Sequence, residues 1–189
     1  MSSEFRCARH GPVLPLRRWS SVTPAVVRTV AESSHVPLWA PLPLPPGWLV
    51  TGLESAGREG DGARAVTLSL CGPSPLGGPV DLLLLSEEPG VGLAARRAGL
   101  PDLDLLPLLR TAPDAKVETA GHPTALWRLD TPADRVAFAG EAGGVWFVAV
   151  LWPPSAELLL LEHVALHDLR AERHVGAELP VGAPTPRLA

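Results

Sequence analysis

The fold depends on one stretch of the sequence, Val36-Pro-Leu-Trp-Ala-Pro-Leu-Pro-Leu-Pro-Pro-Gly-Trp-Leu-Val-Thr-Gly-Leu-Glu54. Its prolines fix their own φ and keep each preceding residue out of the helical region, so the first half should be extended. Apolar residues alternate with these prolines, which predicts an arm that lies against a core without regular ladder hydrogen bonds. After Gly47, Trp48 begins the first convincing strand.

Three regions follow from this stretch. Residues 1–46 are predicted to be an N-terminal appendage that ends in the proline-rich arm, residues 47–171 an α+β domain, and residues 172–189 an extended or disordered tail. A length of 189 residues fits one domain with such additions.

Charge and composition exclude several classes of protein. The net charge is −4, with +3 on residues 1–35 and −7 on residues 36–189, so the body of the chain disfavours nucleic acid as a partner. No apolar run reaches the ~18–20 residues of a membrane helix. Arginine and proline residues stand near the N-terminus, where a signal peptide would have its apolar region. Two cysteines make no disulfide framework. We expect a cytoplasmic protein without a membrane contact.

Apolar alternation and turn residues predict an antiparallel sheet of about six or seven strands between Trp48 and Trp152. The nearly uninterrupted apolar run 80–85 should be a central strand covered on both faces, and the run 145–152 should lie in the middle of the sheet. Residues 155–170 have apolar residues at helical spacing, which predicts a C-terminal helix packed on one face of the sheet. The fold class is therefore α+β. Four tryptophans in or beside the strands are expected to be largely buried: Trp48, Trp127, Trp146 and Trp152.

One glycine-rich turn is a candidate anion site. Gly90 and Gly92 precede a short helix, stopped by Gly99, that carries Arg96 and Arg97. Free amides at a helix start and two guanidinium groups can hold an anion. The turn lacks the Lys-Ser/Thr of a Walker motif, and its glycines do not match the Rossmann spacing. An ordinary glycine turn is the alternative reading.

Two pairs of residues have metal-ligand spacing. Cys7 and His10 form a Cys-x2-His half of a zinc site, but no second pair lies nearby in the sequence. His163 and His167 are four residues apart on the predicted helix. The alternative readings are a plain turn for the first pair and a solvated helix face for the second. We predict no cofactor, with zinc at these residues as the alternative.

Four stretches resemble an uncharacterised actinobacterial family of domains of unknown function, some of whose members carry the label phosphotransacetylase. They are Val36 to Gly52, Cys71-Gly-Pro-Ser-Pro-Leu-Gly-Gly, Glu87-Glu-Pro-Gly-Val-Gly-Leu-Ala-Ala-Arg, and Phe138-Ala-Gly-Glu-Ala-Gly-Gly-Val-Trp. The resemblance covers nearly the whole chain. Many members begin with a Cys-x2-Cys-Gly-Gly knuckle before a Cys-x2-His-Gly part, of which this chain has only Cys7, His10 and Gly11. The residues do not support the phosphotransacetylase label.

The leading functional prediction is a non-catalytic binding or regulatory module in the cytoplasm. Sequence spacing reveals no Ser/His/Asp or Cys/His constellation, and the proline-rich arm could dock a protein partner. One alternative is an acyl- or phosphoryl-transfer enzyme that uses the turn from Gly90 to Arg97. The other is a zinc-knuckle interaction protein. The ligand and the oligomeric state are left open by the sequence.

Overall fold

The structure is a computed structural model that describes residues 6–7, 11–19, 21–58, 60–160, 164–171 and 179–189. Strands dominate it. They are β1 (Arg6–Cys7), β2 (Gly11–Pro12), β3 (Leu16–Arg18), β4 (Trp39–Pro41), β5 (Leu49–Arg58), β6 (Gly62–Pro73), β7 (Pro79–Glu87), β8 (Ala115–Thr119), β9 (His122–Arg128), β10 (Val136–Ala142), β11 (Val145–Trp152) and β12 (Ala165–Asp168). The helices are α1 (Pro24–Glu32), α2 (Leu93–Ala98) and 3-10 segments at Leu108–Arg110, Pro154–Leu160 and Pro186–Leu188.

Ten strands form one sheet in the order β3-β5-β6-β7-β11-β10-β9-β8-β12-β4. All neighbours are antiparallel except β12 and β8, so the sheet is mixed. The predicted sheet of about six or seven antiparallel strands was therefore too small. Three strands account for the difference, and each has only three or four residues: β3, β4 and β12. Segments this short leave no alternation in the sequence to detect.

Apolar side chains cover both faces of the sheet. On β7, Leu82 and Leu84 pack into the first core and Leu83 and Leu85 into the second. The predictions that β7 is central and covered on both faces, and that β11 lies in the middle of the sheet, are confirmed. Helix α1 covers part of the first core and helix α2 part of the second. Strand β4 at the end of the sheet also contacts β7, so the sheet curls back around the first core.

The first part of the proline-rich arm is a sheet strand. Trp39–Pro41 pairs with β12, and Asp168 accepts a hydrogen bond from the Leu38 amide (3.2 Å). Val36, Leu38, Trp39 and Ala40 are at most 3% exposed. The expectation that the arm makes no ladder bonds is wrong for β4. Pro37 precedes the strand and Pro41 is its last residue, which leaves the amides between the two prolines free to pair.

The predicted helix over residues 155–170 is wrong. A 3-10 segment covers Pro154–Leu160, and Ala165–Asp168 is strand β12, between β4 and β8. Residues 161–163 lie outside the described ranges. The apolar residues of this segment fit a helix face, but two neighbouring strand edges offer ladder bonds, and this tertiary pairing overrides the local pattern.

The tryptophan prediction is correct for Trp48 and Trp152, which are 6% and 4% exposed. Trp127 and Trp146 are only half-buried, because their strand positions are partly open to solvent. Among the helices of the described residues, none is long and apolar enough to cross a membrane.

The C-terminal residues 179–189 lie along β5. Val50 donates to the Pro180 carbonyl, and Gly182 donates back to Val50, both at 2.9 Å. Leu188 is buried in the second core. This segment fits closely because β5 has a glycine there: a Cβ at Gly52 would lie 2.5 Å from Leu188 Cδ1.

Candidate functional site

The turn predicted to bind an anion consists of two left-handed glycines followed by α2. Gly90 and Gly92 have φ of 88° and 82°, which explains the choice of glycine at both positions. The helix runs from Leu93 to Ala98 and is stopped by Gly99 (φ 79°), as predicted from the sequence.

The amides of this turn already donate hydrogen bonds to a carboxylate of the same chain, that of Glu87. Glu87, at the end of β7 and 2% exposed, accepts a hydrogen bond from the Ala94 amide at 2.9 Å. The amides of Leu93 and Gly92 also bond to it. Burial raises the pKa of Glu87, and these amides oppose that shift. The amides that were assigned to an external anion are therefore bonded within the protein.

Arg97 points away from the turn and into the protein. Its Nε donates to Glu54 Oε1 at 2.7 Å, and its Nη2 bonds to Glu54 Oε2. Arg97 is 5% exposed and Glu54 is completely buried. Arg18 of β3 also reaches Glu54 Oε2 at 3.3 Å. Arg97 Nη1 and Nη2 also donate to the carbonyls of Arg187 and Leu188, both at 3.1 Å. Arg97 thus ties α2, β5 and the C-terminal segment together.

Next to this ion pair lies a cavity of about 300 Å³, which we name the arginine pocket. Its walls are built from α2, the loop before β10, the end of β11 and the C-terminal segment. Its principal lining residues are Arg96, Arg97, Arg135, Trp152 and Arg187. The structure thus brings the predicted residues Arg96 and Arg97 together with two further arginines, while Gly90 and Gly92 are not among the lining residues.

Trp152 is the platform of the arginine pocket. The guanidinium carbons of Arg135 and Arg187 lie 4.9 and 5.1 Å from its ring centroid. The indole Nε1 donates to Asp134 Oδ2 at 3.4 Å. With two guanidinium groups on the ring and 4% exposure, the indole holds the arginines in position and offers little surface to a ligand.

Carboxylates orient two of the lining arginines. Arg135 bonds Asp134 through Nε (2.8 Å) and Nη2 (3.0 Å), and this partner lowers the pKa of Asp134. Arg187 Nε donates to Asp81 Oδ2 at 3.0 Å. Four lining guanidinium groups thus meet three carboxylates, those of Glu54, Asp81 and Asp134. The side chains of the site therefore carry a surplus of positive charge, to which Arg18 adds because it shares Glu54.

Hydrogen-bond donors remain free in the arginine pocket. Arg96 is exposed, and within the described part of the chain it has no ion pair. Arg187 uses its Nε for Asp81, and its two terminal nitrogens have no acceptor among the residues that the structure describes. Guanidinium groups only donate and stay charged, so the site can bind an anion.

Sequence reasoning missed Arg135, Trp152 and Arg187 as site residues. They come from three distant parts of the chain, and none belongs to a local motif. Tertiary packing alone brings them together. The one available signal was the presence of Arg96 beside the predicted turn.

The metal predictions remain open. Cys7 lies in β1, while His10 and His163 lie outside the described residues. His167 lies in β12, so the helical spacing assumed for the second pair is wrong. Burial, followed by the charge of Asp81, raises the pKa of the half-buried Cys71 thiol. Across the ranges that the structure describes, no group of three or more His, Cys, Asp or Glu side chains could hold a metal ion.

Comparison with known proteins gives a family and no activity. Searches of the curated proteins and of the solved structures find no match to this chain. A family model, described as a family of unknown function (DUF6758), matches residues 1–188. The match spans both cores and every lining residue of the arginine pocket except Ala189. The chain therefore belongs to the DUF6758 family.

Proposed function

We propose that this protein is a non-catalytic binding module of the cytoplasm whose ligand is a small anion held in the arginine pocket. The observation that carries the proposal is the convergence of Arg96, Arg135 and Arg187 on one cavity, where Arg96 and the terminal nitrogens of Arg187 have no acceptor among the described residues. Guanidinium groups that are fixed before the ligand arrives bind an anion at a lower entropic cost.

The lining of the arginine pocket favours binding over catalysis. Acyl or phosphoryl transfer needs a nucleophile or a positioned base, or a metal that supplies one. The principal lining consists of guanidinium groups and one indole. Arginines of this kind can clamp and neutralise an anion, which suffices for a sensor or carrier module.

A protein partner bound through the proline-rich arm is a weaker alternative. The apolar residues Val36, Leu38 and Ala40 are completely buried against the first core, so a partner would have to compete with the protein's own packing. The zinc-knuckle alternative depends on His10, which lies outside the described residues.

Thermal-shift and calorimetric titration with a panel of anions tests the proposal. The panel contains inorganic phosphate, sulfate, acetate, acetyl phosphate, nucleotides and coenzyme A. A ligand that binds only the folded state raises the melting temperature in a concentration-dependent way. We expect at least one anion to bind, and Arg96→Ala to weaken it about three- to tenfold through the loss of charge-assisted hydrogen bonds.

The matched control is Arg28→Ala, which removes an exposed arginine from α1, on the side of the first core. It should leave anion affinity unchanged. Binding that Arg96→Ala and Arg28→Ala reduce equally, or no binding by any anion of the panel, would contradict the proposal.

A further inference from the structure

We infer that the group bound in the arginine pocket is a dianionic phosphate, carried by a small phosphate monoester or present as free inorganic phosphate. This inference rests on the proposed function and adds the chemical class of the ligand. It follows from the direction, the charge and the accessibility of the groups that line the cavity.

Three lining arginines approach from three separate segments, and Arg135, whose nitrogens already bond to Asp134 and to the Arg97 carbonyl, contributes mainly its charge. Arg96 comes from α2, Arg135 from the loop before β10, and Arg187 from the C-terminal 3-10 segment. A planar carboxylate presents two oxygens to a single guanidinium fork. A tetrahedral phosphate presents three terminal oxygens in different directions, and so can accept from forks on several sides.

The charge of the site also favours a dianion. The paired carboxylates leave a surplus of positive side-chain charge at the arginine pocket, in a chain with a net charge of −4. Two negative charges are attracted more strongly than one to such a site. A nucleic acid is disfavoured because residues 36–189 carry −7 and would repel an extended polyanion.

The cavity limits the rest of the ligand to a small group. Its volume of about 300 Å³ is at the lower end for ligand sites. Trp152 is 4% exposed beneath two guanidinium groups, so the pocket offers no aromatic face on which a nucleotide base could stack. Recognition therefore falls on the phosphate itself.

The charged groups at the arginine pocket bear on how binding should depend on pH. The charged side chains that face the cavity or pair with its lining are Arg18, Arg96, Arg97, Arg135, Arg187, Glu54, Asp81 and Asp134. Among the residues that the structure describes, no histidine lines the cavity. A pH-dependent affinity that appears for methyl phosphate but not for monoanions of similar size therefore reports the ligand.

Calorimetric titration of the whole chain with methyl phosphate, methyl sulfate, dimethyl phosphate and inorganic phosphate tests the inference. Because the second pKa of a phosphate monoester is about 6, methyl phosphate should bind on the order of tenfold more tightly at about pH 7.5 than at about pH 5. Methyl sulfate and dimethyl phosphate stay monoanionic at both pH values. They should bind more weakly and without dependence on pH.

The variant Arg96→Ala should weaken the binding of methyl phosphate about three- to tenfold at the higher pH, whereas Arg28→Ala should leave it unchanged. Tighter binding of inorganic phosphate than of methyl phosphate would identify the free ion as the ligand, and the reverse order an ester; both support the inference. Equal, pH-independent binding of methyl phosphate and methyl sulfate would overturn it while leaving an anion site in place. If no anion binds to the wild-type protein, the proposed function itself is overturned.

Discussion

Arg97 and Glu54 form a buried, two-point ion pair that joins helix α2 to the middle of strand β5. The carboxylate is completely buried, and Arg97 extends the same contact to the carbonyls of Arg187 and Leu188. The pair therefore holds the wall of the arginine pocket that the C-terminal segment supplies.

Removal of one partner of this pair should destabilise the protein strongly. We expect Arg97→Met to lower the free energy of unfolding by about 3–5 kcal/mol, because Glu54 is left buried with only the longer contact to Arg18. Urea denaturation measures the change. The double variant Glu54→Leu/Arg97→Met should be more stable than Arg97→Met, since it removes the uncompensated charge. Additive losses in the double variant would contradict this account of the pair.

The apolar anchor of the C-terminal segment should control anion binding indirectly. Leu188→Ala removes the side chain that packs against Gly52 and the second core. Hydrogen exchange at the Gly182 and Thr185 amides should become about tenfold faster or more, because the segment undocks more often. The affinity for phosphate should fall as the segment undocks, because Arg187 lies on that segment.

The control for this prediction is Leu106→Ala, which shortens a side chain that is 65% exposed and outside the arginine pocket. Neither the exchange rates nor the phosphate affinity should change. Faster exchange in Leu188→Ala with unaltered affinity would mean that Arg187 does not contribute to the site.

Glu87, whose carboxylate accepts from the first amides of α2, should make the free energy of unfolding depend on pH. Burial raises the pKa of Glu87, so the folded state binds this proton more tightly than the unfolded state does. The contribution of Glu87 to stability is then most favourable at low pH and declines as pH rises above about 4. The stability of Glu87→Gln relative to the wild type should therefore improve from about pH 4 to pH 7, as measured by urea denaturation. A relative stability that moves in the opposite direction would show that the amides of Gly92, Leu93 and Ala94 outweigh burial.

The metal content of the purified protein gives a separate prediction. We expect less than about half an equivalent of zinc per chain, since a structural site needs four ligands and the sequence offers Cys7 and His10 without a second nearby pair. A chelator should leave the melting temperature unchanged. One tightly held zinc per chain by elemental analysis would contradict this expectation and revive the zinc-knuckle alternative.

The sequence predicts the centre of the fold and fails at its edges. Strands β7 and β11 carry long apolar runs, and their place in the middle of the sheet follows directly from that pattern. Strand β12 has four residues and lies in a segment whose apolar spacing also fits a helix. Only the neighbouring edges of β4 and β8 decide between the two conformations, and these edges are distant in the sequence.

In the candidate site, likewise, only the residue beside a local sequence motif could be predicted. Arg96 could be identified because it stands beside a glycine turn with a recognised chemistry. The role of Glu87 was missed because in the sequence it is an ordinary residue at the end of a strand. In the structure its carboxylate accepts the hydrogen bond of an amide in that turn. Arg135 and Arg187 carry no local signal, since their common neighbour Trp152 becomes apparent only in three dimensions.

The most direct test of the anion site is a titration with inorganic phosphate followed by the side-chain Nε–Hε resonances of the arginines. The account predicts saturable shifts at Arg96, Arg135 and Arg187 with one common dissociation constant. Arg28, which is exposed on α1, should not shift. Saturable shifts confined to other arginines, or a uniform, unsaturated drift of all of them, would contradict the proposal that the arginine pocket binds the anion.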